Sequence, residues 1–114
     1  MSLPTILTAI PQRRYQFGEF QITVLGEIEA GDGRDYRYLL AVARDGEPRP
    51  NLFLSAEKVD GGNRSYAMRV SMAEGSQVVQ ESERWSDMEL FVRDGLDIVR
   101  TMLDLGDEMP VRLD

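Results

Sequence analysis

Hydrophobic and polar residues alternate over several short stretches of the chain, and the clearest alternation runs from Ser65 to Met72. The apolar positions of the four clearest stretches are Phe20, Ile22, Val24 and Ile28; Tyr36, Tyr38, Leu40 and Val42; Leu52, Leu54 and Ala56; and Tyr66, Met68, Val70 and Met72. Because side chains of a β-strand point alternately to its two faces, this pattern predicts strands with one buried face. A fifth stretch, Gln77–Ser82, alternates more weakly.

Turn-forming residues separate these stretches, and their regular spacing predicts an antiparallel meander of five to six strands. Around Gly18 the apolar parity switches between Phe17 and Phe20. Such a switch indicates either a tight hairpin turn or a bulge. We favour the hairpin, with a short first strand from about Arg13 to Phe17.

A helical period replaces the alternation near the C-terminus, where apolar residues recur at intervals of three and four over about 87–105. This spacing predicts an amphipathic helix. Ser86 and Glu89 have the spacing of a capping box, which makes Ser86 the predicted N-cap. Gly106 is the predicted residue just beyond the helix end. Gly95 costs about 1 kcal/mol relative to Ala in mid-helix, which indicates either a close approach to the sheet or a neutral position.

These elements predict one α+β domain over residues 1–114. Its sheet spans about 13–84, and its C-terminal amphipathic helix, about 87–105, packs on one sheet face. One helix covers about four strands, so part of the apolar sheet surface needs another cover. The segment Leu3–Ile10 and a second copy of the chain are the two candidates. We favour a homodimer on this argument.

The composition narrows the chemistry, because the 114 residues include neither Cys nor His. Disulfides, thiolate nucleophiles and Cys-ligated metals are excluded, and the commonest general base is missing. We therefore expect no cofactor, no metal site and no catalysis. The lowest-ranked hypothesis is an enzyme built on carboxylates. Its candidates are two pairs spaced two residues apart, Glu27 with Glu29 and Glu81 with Glu83, a spacing in which carboxylates can share acid–base work.

The net charge of −7 lies entirely in residues 74–114, and an acidic protein is repelled by polyanions unless its bases cluster on one face. Arginines do accompany tyrosines along several predicted strands. Such a combination can neutralise phosphates while bases stack on the rings. An alternative hypothesis is therefore single-stranded nucleic-acid binding by an arginine-bearing sheet face, whose candidate residues are Arg13, Arg14, Arg37 and Arg69. The competing interpretation is a solvated sheet face of ion pairs, with the tyrosines in the core.

The leading hypothesis is a non-catalytic binding, regulatory or protein-interaction module that acts as a homodimer. Its expected partner is itself or another protein. We expect no membrane association, because the apolar N-terminal stretch is interrupted by Pro4 and Pro11 and lacks the basic region of a signal peptide. Cytoplasm is the expected location.

Overall fold

A computed structural model describes residues 3–59 and 65–113, which form one antiparallel sheet with a helix across it. The strands are β1 (Ile6–Phe17), β2 (Phe20–Ala30), β3 (Tyr36–Arg44), β4 (Leu52–Lys58), β5 (Tyr66–Met72), β6 (Gly75–Ser82) and β7 (Val111–Arg112). A short 3-10 helix (Glu83–Ser86) and the helix α1 (Met88–Met102) follow β6. The strand order is β6-β5-β4-β3-β2-β1-β7. The predicted α+β fold with a meander sheet and one C-terminal helix is confirmed, and the two-residue β7 raises the strand count among the described residues to seven.

The first hairpin is tight, as predicted, but β1 is longer than predicted. Phe17 pairs directly with Phe20, and Gly18 has a φ of 58°, a conformation that glycine adopts without steric cost. However, β1 begins at Ile6 rather than near Arg13. Three register shifts interrupt its pairing with β2. Because each shift breaks the alternation of side chains between faces, this half of the strand has no period-two pattern.

The helix α1 lies across one face of the sheet, here called the helix face, and the opposite face is called the outer face. Phe91 and Val99 of α1 are fully buried against sheet residues such as Leu40 and Leu54. A Cβ atom added to Gly95 would lie 2.5 Å from Cδ1 of Leu40. Of the two interpretations of Gly95, the structure therefore shows the close approach of helix and sheet.

The start of α1 differs from the prediction by one residue. Ser86 belongs to the 3-10 helix, and the N-cap is Asp87, whose carboxylate accepts a hydrogen bond from the backbone N–H of Glu89 at 2.8 Å. The capping role predicted for Ser86 is therefore wrong. The cause is tertiary: Trp85 is buried and its Nε1 donates to Asp94 at 2.9 Å, which holds residues 83–86 in a tighter turn.

The end of α1 also lies earlier than predicted, at Met102 rather than near residue 105. The left-handed residue beyond the helix is Asp104, with a φ of 52°, and the backbone N–H of Leu105 donates to the carbonyl of Arg100 at 3.0 Å. The role predicted for Gly106 is therefore wrong, although Gly106 has a positive φ in the following turn. Neither described helix is long and apolar enough to cross a membrane.

The far end of the β1–β2 hairpin covers part of the outer face. A second buried cluster there consists of Tyr36, Leu39 and Ala41, against which Ile6 and Ile28 of the hairpin pack. Tyr36 belongs to this cluster because the register of β3 shifts between Tyr36 and Tyr38. The shift places the Tyr36 side chain on the outer face, whereas the alternation in the sequence predicted that Tyr36 and Tyr38 share one face. The N-terminal segment thus covers apolar surface of the sheet, for which the sequence favoured a second copy of the chain as the cover.

Candidate binding surfaces

Arg13 and Arg14 lie on opposite faces of the sheet. Cross-strand partners share a face. Arg13 pairs with the buried Val24 of the helix face, whereas Arg14 pairs with Thr23 of the outer face. The guanidinium of Arg13 forms an ion pair with Glu89 near the start of α1. Arg13 therefore ties the edge of the sheet to the helix.

Arg69 lies on the outer face and binds a buried carboxylate. Its Nε donates to Oε1 of Glu57 at 2.8 Å, and Nη1 of Arg34 donates to the same oxygen at 3.1 Å. Glu57 is only 9% exposed. A carboxylate in such a position is costly without cationic partners. Arg69 and Arg34 thus stabilise Glu57.

A second polar cluster joins the outer face to the N-terminal segment. The hydroxyl of Tyr36 donates to Asp32 at 2.7 Å, and the backbone N–H groups of Thr5 and Arg34 each donate to the same carboxylate at 3.1 Å. Burial acts to raise the pKa of Asp32, but these hydrogen bonds and the charge of Arg34 together hold it below its ordinary value of 3.8. Burial, followed by the hydrogen bond to Asp32, raises the pKa of Tyr36. Asp32 therefore accepts these bonds as a carboxylate.

Arg37 is exposed and stacks on an aromatic ring. Its guanidinium carbon lies 5.0 Å from the ring centroid of Tyr38, and Tyr38 in turn stacks on Phe91 of α1 with centroids 5.9 Å apart. Tyr38 packs against the core of the helix face. Arg37 therefore lies toward the helix face, whereas Arg69 lies on the outer face. The four candidate arginines do not form one common face.

A cleft of about 590 Å³ opens beside Arg37. It lies where the far end of the β1–β2 hairpin, the beginnings of β3 and β5, the end of β4 and the start of α1 meet. Its chemistry comes from aromatic, cationic and acidic side chains: Tyr38, Tyr66, Arg37, Lys58, Glu27 and Asp35. We call this the tyrosine cleft.

An apolar groove of about 480 Å³ runs between β6 and the C-terminal half of α1. Val79 and Met72 form its sheet side, and Ile98 and Met102 form its helix side. Val79 and Met102 are 45% and 40% exposed. We call this the β6–α1 groove. Large apolar side chains of a strand and of the helix are exposed together there.

The two carboxylate pairs named from the sequence lie at irregular positions of the backbone. Among residues 3–59 and 65–113, no group of three or more acidic residues could hold a metal ion. Glu81 lies in β6, but Glu83 begins the 3-10 helix, so the two do not share a strand face. Glu27 lies at a backbone irregularity, with a φ of 48°.

No family model, curated protein or solved structure matches this chain.

Most residues of both surfaces were missed by the sequence pattern. Lys58, Glu27 and Tyr66 are far apart in sequence, and only the pairing of the strands brings them to one cleft. The sequence contained one indication of the β6–α1 groove. Two adjacent valines, Val78 and Val79, interrupt the weak alternation of β6, so neither face of this strand is fully polar.

Proposed function

We propose that this chain is a non-catalytic protein-interaction module that forms a homodimer through β6 and the β6–α1 groove. The observation that carries the proposal is an uncovered edge strand that is flanked by an apolar groove. All six residues from Ser76 to Glu81 are exposed. Exposed apolar surface next to an open strand edge is typical of sites where another chain adds to a sheet.

The strand β6 lacks several features that usually protect an edge. It is eight residues long and contains neither Pro nor Lys, whereas natural edge strands are often short or carry these residues. Its register shift against β5 leaves Val79 without a partner in β5. The side chain of Val79 contributes instead to the groove beside Ile98. The irregularity of β6 thus adds apolar surface to the groove.

A two-fold axis perpendicular to the sheet must pair one residue of β6 with its own copy. Centring this axis on Val79 brings the two grooves together on the helix face. Counting outward in antiparallel register places Gln77 opposite Glu81 of the second copy. No like charges then face each other across the strands. We adopt this register for the proposed dimer.

The other hypotheses receive less support from the geometry. Single-stranded nucleic-acid binding through one arginine face remains a prediction, but Arg13, Arg14, Arg37 and Arg69 are divided between two faces and Arg69 is engaged by Glu57. A carboxylate-based enzyme also remains untested, and no observation favours it. The cytoplasmic location remains a prediction.

The dimer is tested by single-cysteine crosslinking, because the natural chain has no Cys that could react. Val79→Cys places two thiols next to the proposed axis, where the distance between opposed strand residues suits a disulfide. We expect the oxidised Val79→Cys protein to run as a crosslinked dimer on a non-reducing gel. The matched control is Leu7→Cys, which lies on the exposed part of β1 at the other side of the sheet.

Equilibrium ultracentrifugation then supplies a measurement that is independent of thiol chemistry. The unmodified chain should show a concentration-dependent dimer, Val79→Lys should be monomeric, and Leu7→Lys should behave like the unmodified chain. A monomer at all concentrations, or equal crosslinking of Val79→Cys and Leu7→Cys, would overturn the proposal.

A further inference from the structure

The tyrosine cleft contains a planar cation, the guanidinium of Arg37, which already contacts an aromatic ring. Phe91 supports Tyr38, and Tyr38 supports the guanidinium of Arg37. Because Arg37 is exposed but already lies over the Tyr38 ring, its side chain loses less conformational freedom when a ligand binds. A planar guanidinium stacks on aromatic rings and also binds oxyanions. The stack is therefore suited to a ligand that combines an aromatic ring with a negative charge.

Two backbone irregularities converge on the cleft. One is the register shift of β3 between Tyr36 and Tyr38, which places Arg37 at the shift. The other is Glu27 in β2, whose φ of 48° is uncommon for a residue other than glycine. Bulges redirect side chains and are frequent beside binding sites, and strained residues also cluster there. Here the two irregularities supply one cation and one carboxylate to the same cleft.

The cations of the cleft are not engaged by carboxylates within the described parts of the chain. Arg13, Arg34 and Arg69 each form an ion pair. Among residues 3–59 and 65–113, neither Arg37 nor Lys58 has a carboxylate within 4.0 Å. An anionic ligand could therefore bind both without breaking an ion pair seen in this part of the structure.

We propose that the tyrosine cleft binds a mononucleotide-type ligand, an aromatic base that carries a phosphate. The base would stack on Arg37, and the phosphate would bind Arg37 and Lys58. Glu27 and Asp35, in the same cleft, are acceptors for an exocyclic amino group, which favours adenine or cytosine over uracil. The volume of about 590 Å³ matches a small-molecule site. A long polyanion is disfavoured by the two cleft carboxylates and by the net charge of −7.

The proposal is tested by calorimetric titration of the full chain with adenosine monophosphate, uridine monophosphate and adenosine. We expect adenosine monophosphate to bind most tightly. Adenosine should bind roughly tenfold more weakly, because it lacks the phosphate and therefore its charge-assisted hydrogen bonds. Arg37→Gln and Lys58→Gln should each weaken the binding of adenosine monophosphate roughly tenfold. Arg49→Gln is the matched control, because Arg49 is an exposed arginine between β3 and β4 at the opposite end of these strands.

The following outcomes would contradict the proposal that the cleft binds a mononucleotide. Absence of binding at millimolar adenosine monophosphate, or an equal loss in Arg49→Gln, would overturn it. A mixed-sequence oligonucleotide that binds more tightly with increasing length would assign the cleft to single-stranded nucleic acid instead. Val79→Lys should retain adenosine monophosphate binding, because Val79 is in the β6–α1 groove, so the site and the proposed dimer can fail independently.

Discussion

The two faces of the sheet are stabilised in different ways. On the helix face, α1 buries Phe91 and Val99 against strands β1 to β5 in one continuous apolar core. On the outer face, a small apolar cluster around Leu39 is bordered by the polar groups of Glu57 and Asp32 with their partners. The first face depends on apolar area removed from water. The second depends in addition on directional hydrogen bonds and charges.

This difference determines how each face should respond to change. Apolar burial is insensitive to pH and to moderate salt, and its loss on mutation scales with the volume removed. A buried carboxylate depends on each of its partners and on its own ionisation. The outer face should therefore be the part of the fold whose stability responds to solution conditions. Three experiments test this contrast.

The largest effect is expected from truncation on the helix face. Phe91 is fully buried, so Phe91→Ala should lower the free energy of unfolding by about 3–5 kcal/mol. Phe53→Ala is the matched truncation on the outer face, where Phe53 is half-buried, and should cost less than about 2 kcal/mol. Urea titration of both variants measures the difference, and equal losses would contradict the proposed contrast between faces.

A smaller effect is expected from Glu57→Gln, which removes the charge that Arg34 and Arg69 bind. Loss of charge-assisted hydrogen bonds should cost about 1.5–3 kcal/mol. The control is Glu19→Gln, which removes an ion pair with Arg44 between two exposed side chains and should cost at most about 1 kcal/mol. Chemical denaturation would measure both changes. Similar values for the two variants would show that burial of Glu57 adds nothing.

The smallest effect is expected from the titration of Asp32. Because its pKa in the folded protein lies below 3.8, Asp32 stabilises the fold above that pH, and this contribution is lost as the pH falls through the folded pKa. Asp32→Asn should therefore be less stable than the unmodified chain at neutral pH, with the gap narrowing below about pH 4. Thermal unfolding from neutral to acidic pH would measure the gap. A constant gap would assign the loss to packing rather than to the charge.

The elements with regular patterns were predicted from local sequence. The alternation in β5, the tight turn at Gly18 and the amphipathic period of α1 all correspond to the observed elements. Of the two interpretations of Gly95, close approach of helix and sheet is the one observed. The failures occur where long-range contacts compete with local preference. Burial of Trp85 moves the N-cap from Ser86 to Asp87.

The candidate sites were less predictable than the fold. Arg37 was identified in the sequence, but its grouping with Arg69 assumed an unbroken alternation along β3, which the register shift there interrupts. A shift of one residue reverses the face of every side chain beyond it. The same effect moved Tyr36 into the outer cluster. Cleft and groove are both built from segments that meet only through strand pairing and helix packing.

The sequence by itself determined the α+β class, the antiparallel meander type of sheet and the amphipathic helix, because these follow from hydrophobic period and turn residues that act over a few positions. Only the tertiary structure decided the register shifts, the division of the arginines between two faces, and the cover of the outer face by the chain's own hairpin. The physical reason is that a side chain's face depends on every bulge between it and the rest of the sheet, and bulges arise from packing between segments distant in sequence.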